Sequence, residues 1–332
     1  MKQSVQIGNI NVAPGEVKLG KLSCGYLPDS SEVSIPLIVV NGAKEGPTLL
    51  LTGAMHGPEV PGCEVIRRIT REIVKPEELR GSIIAAPVLN PFGFNMHSMN
   101  TPQDGYNLNR VFPGEADSLL SHRLAHLIFN ELVMRSDHII DFHANPQPAM
   151  QFTIVKHGAN QDVNVFNKTM ALAEAYGITI IEMITSFESH RTGTLAECAA
   201  DKGKSCIILE LVSWRRQEEH SVQSGVKGTL NVMKHLDMID GKIEPQDDVL
   251  KFEGRLTRTE LTANKGGFVH YLKEIGQWVK KGELIALIRD PWGDVAEEIY
   301  APLDCWILAW PLIYSQTVAT GDLLVMLAFP KA

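Results

Sequence analysis

The feature that most constrains the fold is an alternation of short apolar runs with amphipathic segments over the first 245 or so residues. The apolar runs are SIPLIVVNG, PTLLLTG, GSIIAAPVLN, DHIIDFHA, QFTIVKH, ITIIEMI and KSCIILELV. Segments with helical spacing of apolar residues lie at 62–75, 117–135, 162–176, 192–202 and 218–237. This alternation predicts an α/β domain whose sheet is covered by helices on both faces.

The pattern changes after a polar segment at residues 240–249, which is typical of a linker. From about residue 250 the chain has short strand-like segments separated by turns, such as GQWVKKGELIALIRDPWGD, and no long helical pattern. We therefore predict two domains, a larger one at residues 1–245 and a small all-β domain at residues 250–332.

Composition excludes several classes of protein. The net charge of −8 argues against a general nucleic-acid-binding protein, because phosphate contacts need clustered Lys and Arg. No run approaches the roughly 20 apolar residues that span a bilayer, and the N-terminal residues lack a signal-peptide pattern. The five scattered cysteines fit reduced thiols. We expect a cytoplasmic protein without membrane or nucleic-acid partners, and the sequence is compatible with a homo-oligomer.

A histidine and a glutamate lie in the glycine- and proline-rich turn GAMHGPEVPG, between a predicted strand and a predicted helix. His56 and Glu59 are candidate metal ligands, because open α/β sheets bind ligands beyond the carboxyl ends of their strands. Glycine in such a turn lets the backbone approach a ligand closely. The alternative is a loop histidine beside a solvated glutamate.

His143 is the candidate third ligand, since catalytic zinc commonly has three protein ligands and one open position. It ends the predicted strand DHIIDFHA. Asp141, two residues earlier, points to the same side of the strand and is placed to orient the imidazole. The alternative is a strand-end histidine with a structural aspartate.

Two further features are candidates for substrate binding and catalysis. The loop DGYNLNRVFPG contains Arg110, which suits bidentate recognition of a carboxylate, although its asparagines can equally serve only to cap turns. Glu210 interrupts the apolar run CIILELV. A buried carboxylate is costly unless it is paired or functional, so Glu210 is either a general base or half of a salt bridge inside the sheet.

The order HGPE, NLNR, DFH and then a strand glutamate resembles the succinylglutamate desuccinylase/aspartoacylase family, a branch of the zinc carboxypeptidase-like fold. The resemblance covers roughly residues 35–330 and includes APVLNPFGF and the C-terminal β domain. It implies a central mixed sheet flanked by helices and one zinc ion per subunit. It implies that the zinc ligands are His56, Glu59 and His143. It also implies that Glu210 is the general base and acid, and that Asn109 and Arg110 bind the substrate.

The activity implied by this resemblance is zinc-dependent hydrolysis of the amide bond of a small N-acyl amino acid. The alternatives are a carboxypeptidase-like peptidase and a catalytically inactive small-molecule-binding protein. Relatives usually carry an arginine shortly after NPxxF that helps to polarise the scissile carbonyl, and Met99 lies near that place here. Either His97 or zinc alone takes that role, or the substrate differs. Asn107 also stands where relatives often have aspartate.

The C-terminal segments resemble the barrel-sandwich fold of lipoyl and biotinyl carriers. A carrier needs an exposed lysine in a tight turn, and the corresponding turn APLDCWI has none. We therefore expect this domain to wall the active site or to mediate subunit contacts. Tyr271, Trp292 and Tyr314 are its candidate aromatic residues for reaching the cleft.

Overall fold

The computed structural model describes residues 2–157, 162–184, 193–311 and 316–331. The strands of these ranges are β1 (Val5–Ile7), β2 (Ile10–Val12), β3 (Glu16–Tyr26), β4 (Glu32–Asn41), β5 (Lys44–Thr52), β6 (Arg80–Ala86), β7 (His138–Asn145), β8 (Phe152–His157), β9 (Thr179–Ile184), β10 (Ser205–Val212), β11 (Leu256–Thr262), β12 (Gly267–Tyr271), β13 (Trp278–Val279), β14 (Leu284–Arg289), β15 (Val295–Tyr300), β16 (Cys305–Ala309), β17 (Thr317–Val318) and β18 (Leu323–Pro330).

The α-helices of the same ranges are α1 (Pro61–Arg68), α2 (Pro91–Asn95), α3 (Leu120–Glu131), α4 (Val163–Tyr176), α5 (Leu195–Asp201) and α6 (Glu219–His235). A π-helical turn at Ile69–Ile73 extends α1, and short 3-10 turns lie at Leu108–Arg110 and Val133–Arg135. In the described ranges no helix combines the length and apolar character needed to cross a membrane.

A 12-stranded mixed sheet forms the centre of the molecule, in the order β13-β16-β18-β11-β9-β8-β10-β7-β5-β6-β4-β3. Its middle strands β10, β7, β5 and β6 are parallel to one another, whereas β8 is antiparallel to β10 and β4 is antiparallel to β6. Because parallel strands end at the same edge, β5, β7 and β10 present the residues that follow them to a common region.

Helices cover both faces of the sheet, as the sequence predicted. Alternate residues of β7 illustrate the arrangement: Ile139 belongs to an apolar core with α3 and α5, whereas Ile140 belongs to a second core with α1, α4 and α6. This alternation follows from the two-residue period of a strand. Because both faces of the central strands are buried, their sequences are continuous apolar runs.

The C-terminal residues form a sandwich. Strands β11, β18, β16 and β13 continue the large sheet, and β15, β14, β12 and β17 form a separate antiparallel sheet. A third apolar core lies between them, with Val269 and Ile285 on one side and Ile307 and Leu327 on the other. The predicted fold class, a helix-flanked mixed sheet with a C-terminal all-β sandwich, is confirmed.

The large sheet passes from β9 to β11 through a single parallel bridge between Ile181 and Leu256. Glu182, fully buried at this junction, accepts hydrogen bonds from Arg255, which directly precedes β11, and from Lys331, which directly follows β18. Burial raises the pKa of Glu182, but the two cationic partners outweigh burial and leave the pKa below its ordinary value. This buried carboxylate therefore ties the C-terminal strands to β9.

The seven predicted strands all form, as β4 to β10, and the five predicted helices correspond to α1, α3, α4, α5 and α6. Strands β1, β2 and β3 are not predicted from the sequence. Strand β3 lies at an edge and is mostly exposed or half-buried, so it has no apolar run to reveal it. The predicted boundary near residues 245–250 falls in the irregular segment between α6 and β11.

Candidate metal centre

The turn after β5 is shaped by two glycines that lie against neighbouring backbone. A Cβ on Gly57 would lie 2.1 Å from the carbonyl oxygen of Gly93 in α2, and a Cβ on Gly62 would lie 2.3 Å from Cβ of Phe142. Only glycine permits such close approaches. The turn is therefore held between α2 and β7, with the start of α1 packed beside the residue that precedes His143.

Three side chains from this turn and from β7 converge in a buried cluster. Nδ1 of His56 lies 2.9 Å from Oε1 of Glu59, and Nδ1 of His143 lies 2.9 Å from Oε2 of Glu59. The two Nδ1 atoms are 3.2 Å apart. All three side chains are almost fully buried, so water does not screen the contacts. The structure thus brings the three predicted ligand residues together.

The outer nitrogen of each imidazole faces an acceptor. Nε2 of His56 lies 3.1 Å from Oδ1 of Asn107, and the backbone N–H of Asn109 donates to the same oxygen at 2.8 Å. Nε2 of His143 lies 3.0 Å from Oδ2 of Asp141. These acceptors assign the proton of each neutral ring to Nε2, so both Nδ1 lone pairs face the cluster.

Asp141 is itself fixed, because Thr52 Oγ1 donates to its Oδ1 at 2.7 Å. A carboxylate that holds the outer nitrogen of a histidine is the usual support behind a metal ligand. The predicted orienting role of Asp141 toward His143 therefore agrees with the contact in the structure.

The donor set fits a zinc ion. Two imidazole nitrogens and one carboxylate are zinc ligands, and ligand atoms about 2.1 Å from one tetrahedral ion lie about 3.4 Å from one another. The separations of 2.9 and 3.2 Å are close to that value. Among the described residues, Oε2 of Glu59 is buried and accepts no well-oriented hydrogen bond. The two Nδ1 lone pairs and the buried carboxylate of Glu59 repel one another unless a cation or proton lies between them.

The electrostatics of the cluster agree with this interpretation. Burial raises the pKa of Glu59, but the imidazoles of His56 and His143 outweigh it and lower the pKa of Glu59 to about 2. Burial lowers the pKa of His143, whereas the carboxylates of Asp141 and Glu59 raise it well above its usual value. The cluster is therefore a place that attracts positive charge, whether as protons or as a metal ion.

Glu210 lies beside the cluster, because β10 pairs with β7 in a register that puts Glu210 opposite His143. Asn145 Nδ2 donates to Oε2 of Glu210 at 3.1 Å. Burial raises the pKa of Glu210, and the carboxylate of Glu59 adds to the rise. None of the ion pairs found in the described ranges includes Glu210, which favours the general-base interpretation over a salt bridge inside the sheet.

A pocket of about 310 Å³ opens onto these residues. The loop at 104–114 contributes Asn107 and Arg110 to its lining, and Met99 lies in the lining as well. Nη1 of Arg110 donates to the backbone oxygen of Asn109 at 2.7 Å. His97, the other residue considered for polarising the carbonyl, is not among the lining residues.

Asn109 occupies a different place from its neighbour Arg110. Its side chain is buried, its Oδ1 accepts the backbone N–H of Leu195 at 2.9 Å, and its Nδ2 lies 3.3 Å from Nε2 of His143. Asn109 is not among the residues that line the pocket. The structure therefore places it behind His143, and its direct contact with substrate remains a prediction.

The C-terminal strands and the turn before β18 also contribute to the lining of the pocket. We call Arg258, Glu260 and Asp322 the C-terminal wall, since all three line the pocket. Sequence reasoning did not identify them. Arg258 and Glu260 alternate along RLTRTELT, which shows that they share one face of a strand but not what that face meets.

The aromatic candidates of the C-terminal domain do not provide this wall. Tyr271 stacks on Trp310 with ring centroids 4.7 Å apart, and Trp292 is 86% exposed. Neither residue lines the pocket, and Tyr314 lies outside the described residues. Among the described residues, Trp214 lines the pocket, and its Nε1 donates to the backbone oxygen of Ala144 at 2.6 Å.

Comparison with known proteins places this geometry in a family. Residues 45–236 match the succinylglutamate desuccinylase/aspartoacylase catalytic domain. The N-alpha-acetyl-L-2,4-diaminobutyric acid deacetylase of Halomonas elongata is 25% identical over 259 residues, which cover 78% of this chain and 75% of that protein.

Two solved structures share the fold. A succinylglutamate desuccinylase/aspartoacylase from Rhodobacter sphaeroides superposes with a TM-score of 0.83 at 24% identity, covering 95% of this chain and 96% of that one. The product-bound ectoine utilization protein of Ruegeria pomeroyi gives a TM-score of 0.82 at 24% identity, covering 94% and 95%. Because the family match spans more than half of the sequence and includes the whole buried cluster, this chain belongs to the succinylglutamate desuccinylase/aspartoacylase family.

Proposed function

We propose that this protein is a zinc-dependent amidohydrolase that cleaves the amide bond of a small N-acyl amino acid. The observation that carries the proposal is the convergence of His56, Glu59 and His143 at one end of a pocket, with Glu210 beside them. In this proposal the three converging side chains hold one zinc ion per subunit, bound through the Nδ1 atoms and the carboxylate.

A bound zinc ion would supply Lewis acidity at this end of the pocket. It would lower the pKa of a water molecule, so that the water could lose a proton and act as a nucleophile near neutral pH. Glu210 takes a proton from the attacking water and then gives it to the leaving amine. Its raised pKa suits a group that must both accept and release a proton. Asn145, which donates to Glu210 Oε2, holds that carboxylate in place. Arg110 binds a carboxylate of the substrate from the 104–114 loop.

The size of the pocket favours a small substrate. A volume of about 310 Å³ accommodates an acylated amino acid, and the C-terminal wall contributes to the lining of this pocket. This supports a deacylase over a carboxypeptidase-like peptidase. The name of the Halomonas elongata relative, a deacetylase of an acetylated diamino acid, supports the same reaction class. The presence of Glu210 argues against a catalytically inactive binding protein.

We also propose that residues 1–245 form the catalytic domain and that residues 250–332 form the C-terminal β domain. The five cysteines are all free thiols, which supports a cytoplasmic location. A homo-oligomer remains a prediction.

The experiment is a substrate panel on zinc-replete protein. N-acetyl and N-succinyl derivatives of neutral, acidic and basic amino acids are incubated with the enzyme, and release of the primary amine is measured. We expect release from at least one N-acyl amino acid, and we expect it to stop when a chelator removes the metal. Release only from peptides with a free C-terminus would favour the peptidase, and no release from any compound would favour a binding protein.

A further inference from the structure

Asn107 lies between the candidate metal centre and the substrate-binding loop. It directly precedes the 3-10 turn at Leu108–Arg110, and both Asn107 and Arg110 line the pocket. The backbone oxygen of Asn107 accepts from the backbone N–H of Arg110 at 3.0 Å, so one hydrogen-bonded turn holds the two residues close together. The side chain of Asn107 is half-buried, with one part against His56 and another part exposed.

The orientation of the Asn107 amide is fixed by a group that can only donate. The backbone N–H of Asn109 donates to the Asn107 side chain at 2.8 Å, so the contacted atom is the amide oxygen and not the amide nitrogen. Nε2 of His56 lies 3.1 Å from the same Oδ1. Because both contacts use Oδ1, the amide cannot turn over without losing two hydrogen bonds.

The nitrogen of the same amide is available to a ligand. Among the described residues, Nδ2 of Asn107 donates to no protein acceptor, and it is not one of the buried polar atoms that lack a partner. Nδ2 is therefore accessible. Since Asn107 lines the pocket, its two N–H groups can donate to a molecule that binds there.

The loop that carries Asn107 is anchored at both ends. Near its start, the carboxylate of Asp104 accepts from the backbone N–H and the hydroxyl of Ser121 at 2.7 and 2.8 Å. Near its end, the backbone N–H of Phe112 donates to the backbone oxygen of Gly193 at 2.8 Å. The amide of Asn107 is therefore held in place before a substrate binds, and a donor that is already held loses little conformational freedom on binding.

The imidazole of His56 determines which part of a substrate Asn107 can reach. Nδ1 of His56 faces Glu59, whereas Nε2, on the opposite side of the ring, faces Asn107. The width of the ring, added to the 3.1 Å contact, puts the amide beyond hydrogen-bonding distance of a carbonyl oxygen at the proposed metal position. The amide is instead close to Arg110, so the group that it can reach is the substrate carboxylate assigned to Arg110.

A carboxylate can use both donors at once. It has about four acceptor sites, so it can accept from the guanidinium of Arg110 and also from Nδ2 of Asn107. The side chain of Asn109, which the resemblance implies for substrate binding, does not line the pocket, whereas that of Asn107 does.

We propose that Asn107 bridges two parts of the site: its Oδ1 positions the proposed metal ligand His56, and its Nδ2 donates to the substrate carboxylate that Arg110 binds. The inference rests on the proposed function and adds a substrate-binding residue to it. Because one rigid amide makes both contacts, it sets the distance between the metal centre and the bound carboxylate.

The test uses a variant that keeps one role of the amide and removes the other. Asn107→Asp keeps an oxygen acceptor for His56 and replaces the donating NH₂ group with a second carboxylate oxygen. All proteins in the binding test are zinc-replete and also carry Glu210→Gln, so that the ligand is not hydrolysed. The ligands are N-acetylalanine and N-acetylalaninamide, which differ only in the carboxylate.

For the protein with Asn107 intact, we expect calorimetric titration to show tighter binding of N-acetylalanine than of N-acetylalaninamide. In Asn107→Asp we expect the Kd of N-acetylalanine to rise by about 10- to 100-fold, the range for a hydrogen bond to a charged group, and that of the carboxamide to change much less. Retained binding of the carboxamide shows that the variant is folded. Asn100→Asp is the matched control, because it adds the same charge to an exposed residue that does not line the pocket, and it should leave both Kd values unchanged.

Zinc affinity tests the contact with His56 without any substrate. Competition with a chelator gives the Kd of zinc for each protein. Asn107→Ala removes the acceptor, so we expect this Kd to rise by about 10- to 100-fold, the usual range when a group that orients a ligand histidine is lost. Asn107→Asp keeps an acceptor, and its Kd for zinc should not rise.

The outcomes separate this inference from the proposed function. An unchanged Kd of N-acetylalanine in Asn107→Asp, or an equal rise in Asn100→Asp, would overturn the role of Nδ2 and with it the bridge. An unchanged Kd of zinc in Asn107→Ala would overturn the role of Oδ1 and also the bridge. Both results would leave amide hydrolysis intact, because the substrate panel measures it separately. No amine release in the panel, together with no binding of either ligand, would overturn the proposed function and the bridge with it.

Discussion

Two parts of the pocket lining, the candidate metal centre and the C-terminal wall, differ in how readily the sequence identifies their residues. His56, Glu59 and His143 lie in or just before turns at strand ends, where glycine, proline and short motifs mark them in the sequence. Arg258 and Glu260 lie inside a strand of the C-terminal sandwich, with no motif around them. Functional residues in strand-end turns can therefore be predicted from the local sequence. Residues of a pocket wall that is formed by the packing of distant strands can be identified only from the three-dimensional structure.

The largest expected effect is at the metal end. His143→Ala removes one of three proposed ligands, so we expect the purified protein to lose zinc and essentially all turnover, as measured by elemental analysis and amine release. His138→Ala is the matched control. His138 begins the same strand and contacts Ser205 Oγ at 2.6 Å, away from the pocket, so this variant should keep its zinc. Full zinc content in His143→Ala would remove His143 from the ligand set.

Glu210→Gln separates catalysis from metal binding. The variant keeps the shape of the side chain and removes its ability to carry a proton, so we expect a loss of about 10²- to 10⁴-fold in kcat with unchanged zinc content. The two measurements are made on the same preparation. A variant with wild-type turnover would show that Glu210 is not the base, and a variant without zinc would show that it belongs to the metal site.

The sequence could predict the metal end for a physical reason. Gly57 and Gly62 are required because added Cβ atoms would collide with Gly93 and Phe142, so the turn that carries His56 and Glu59 is fixed by local chemistry. The central strands were also predictable, since burial on both faces requires continuous apolar residues. The pairing of His56 with Asn107, by contrast, depends on two turns far apart in the chain.

The C-terminal wall could not be predicted by such reasoning. Arg258 approaches Glu210 only because β11 joins the large sheet next to β9, through the single bridge between Leu256 and Ile181. Neither the apolar pattern of β11 nor its charges encode that neighbour. The position of Asn109 also depends on the tertiary structure. Its buried side chain contacts His143 and Leu195 and does not line the pocket, so its predicted contact with substrate stays a prediction.

The smallest expected effect is at the junction that carries the wall. Glu182→Gln leaves Arg255 and Lys331 without a buried anion, and we expect the free energy of unfolding at pH 7 to fall by about 1–3 kcal/mol. The pKa of Glu182 is lowered by folding, so its stabilising effect is present above the unfolded value and is lost as pH falls toward the folded value.

Denaturant unfolding at several pH values checks this prediction. The difference between wild type and Glu182→Gln should be greatest near neutral pH and should shrink below about pH 4. Glu253→Gln is the control, because Glu253 is 83% exposed in its pair with Lys251 and should contribute about 0.5 kcal/mol or less. A difference that does not change between pH 7 and pH 3 would show that the charge of Glu182 is not what ties the C-terminal strands to β9.

The most direct measurement is anomalous diffraction at the zinc edge from crystals of the zinc-replete protein. We predict one strong peak per chain, about 2 Å from Nδ1 of His56, Nδ1 of His143 and the carboxylate of Glu59, in the pocket beside Glu210. A peak elsewhere, or no peak within bonding distance of both imidazoles in protein that hydrolyses its substrate, would contradict it.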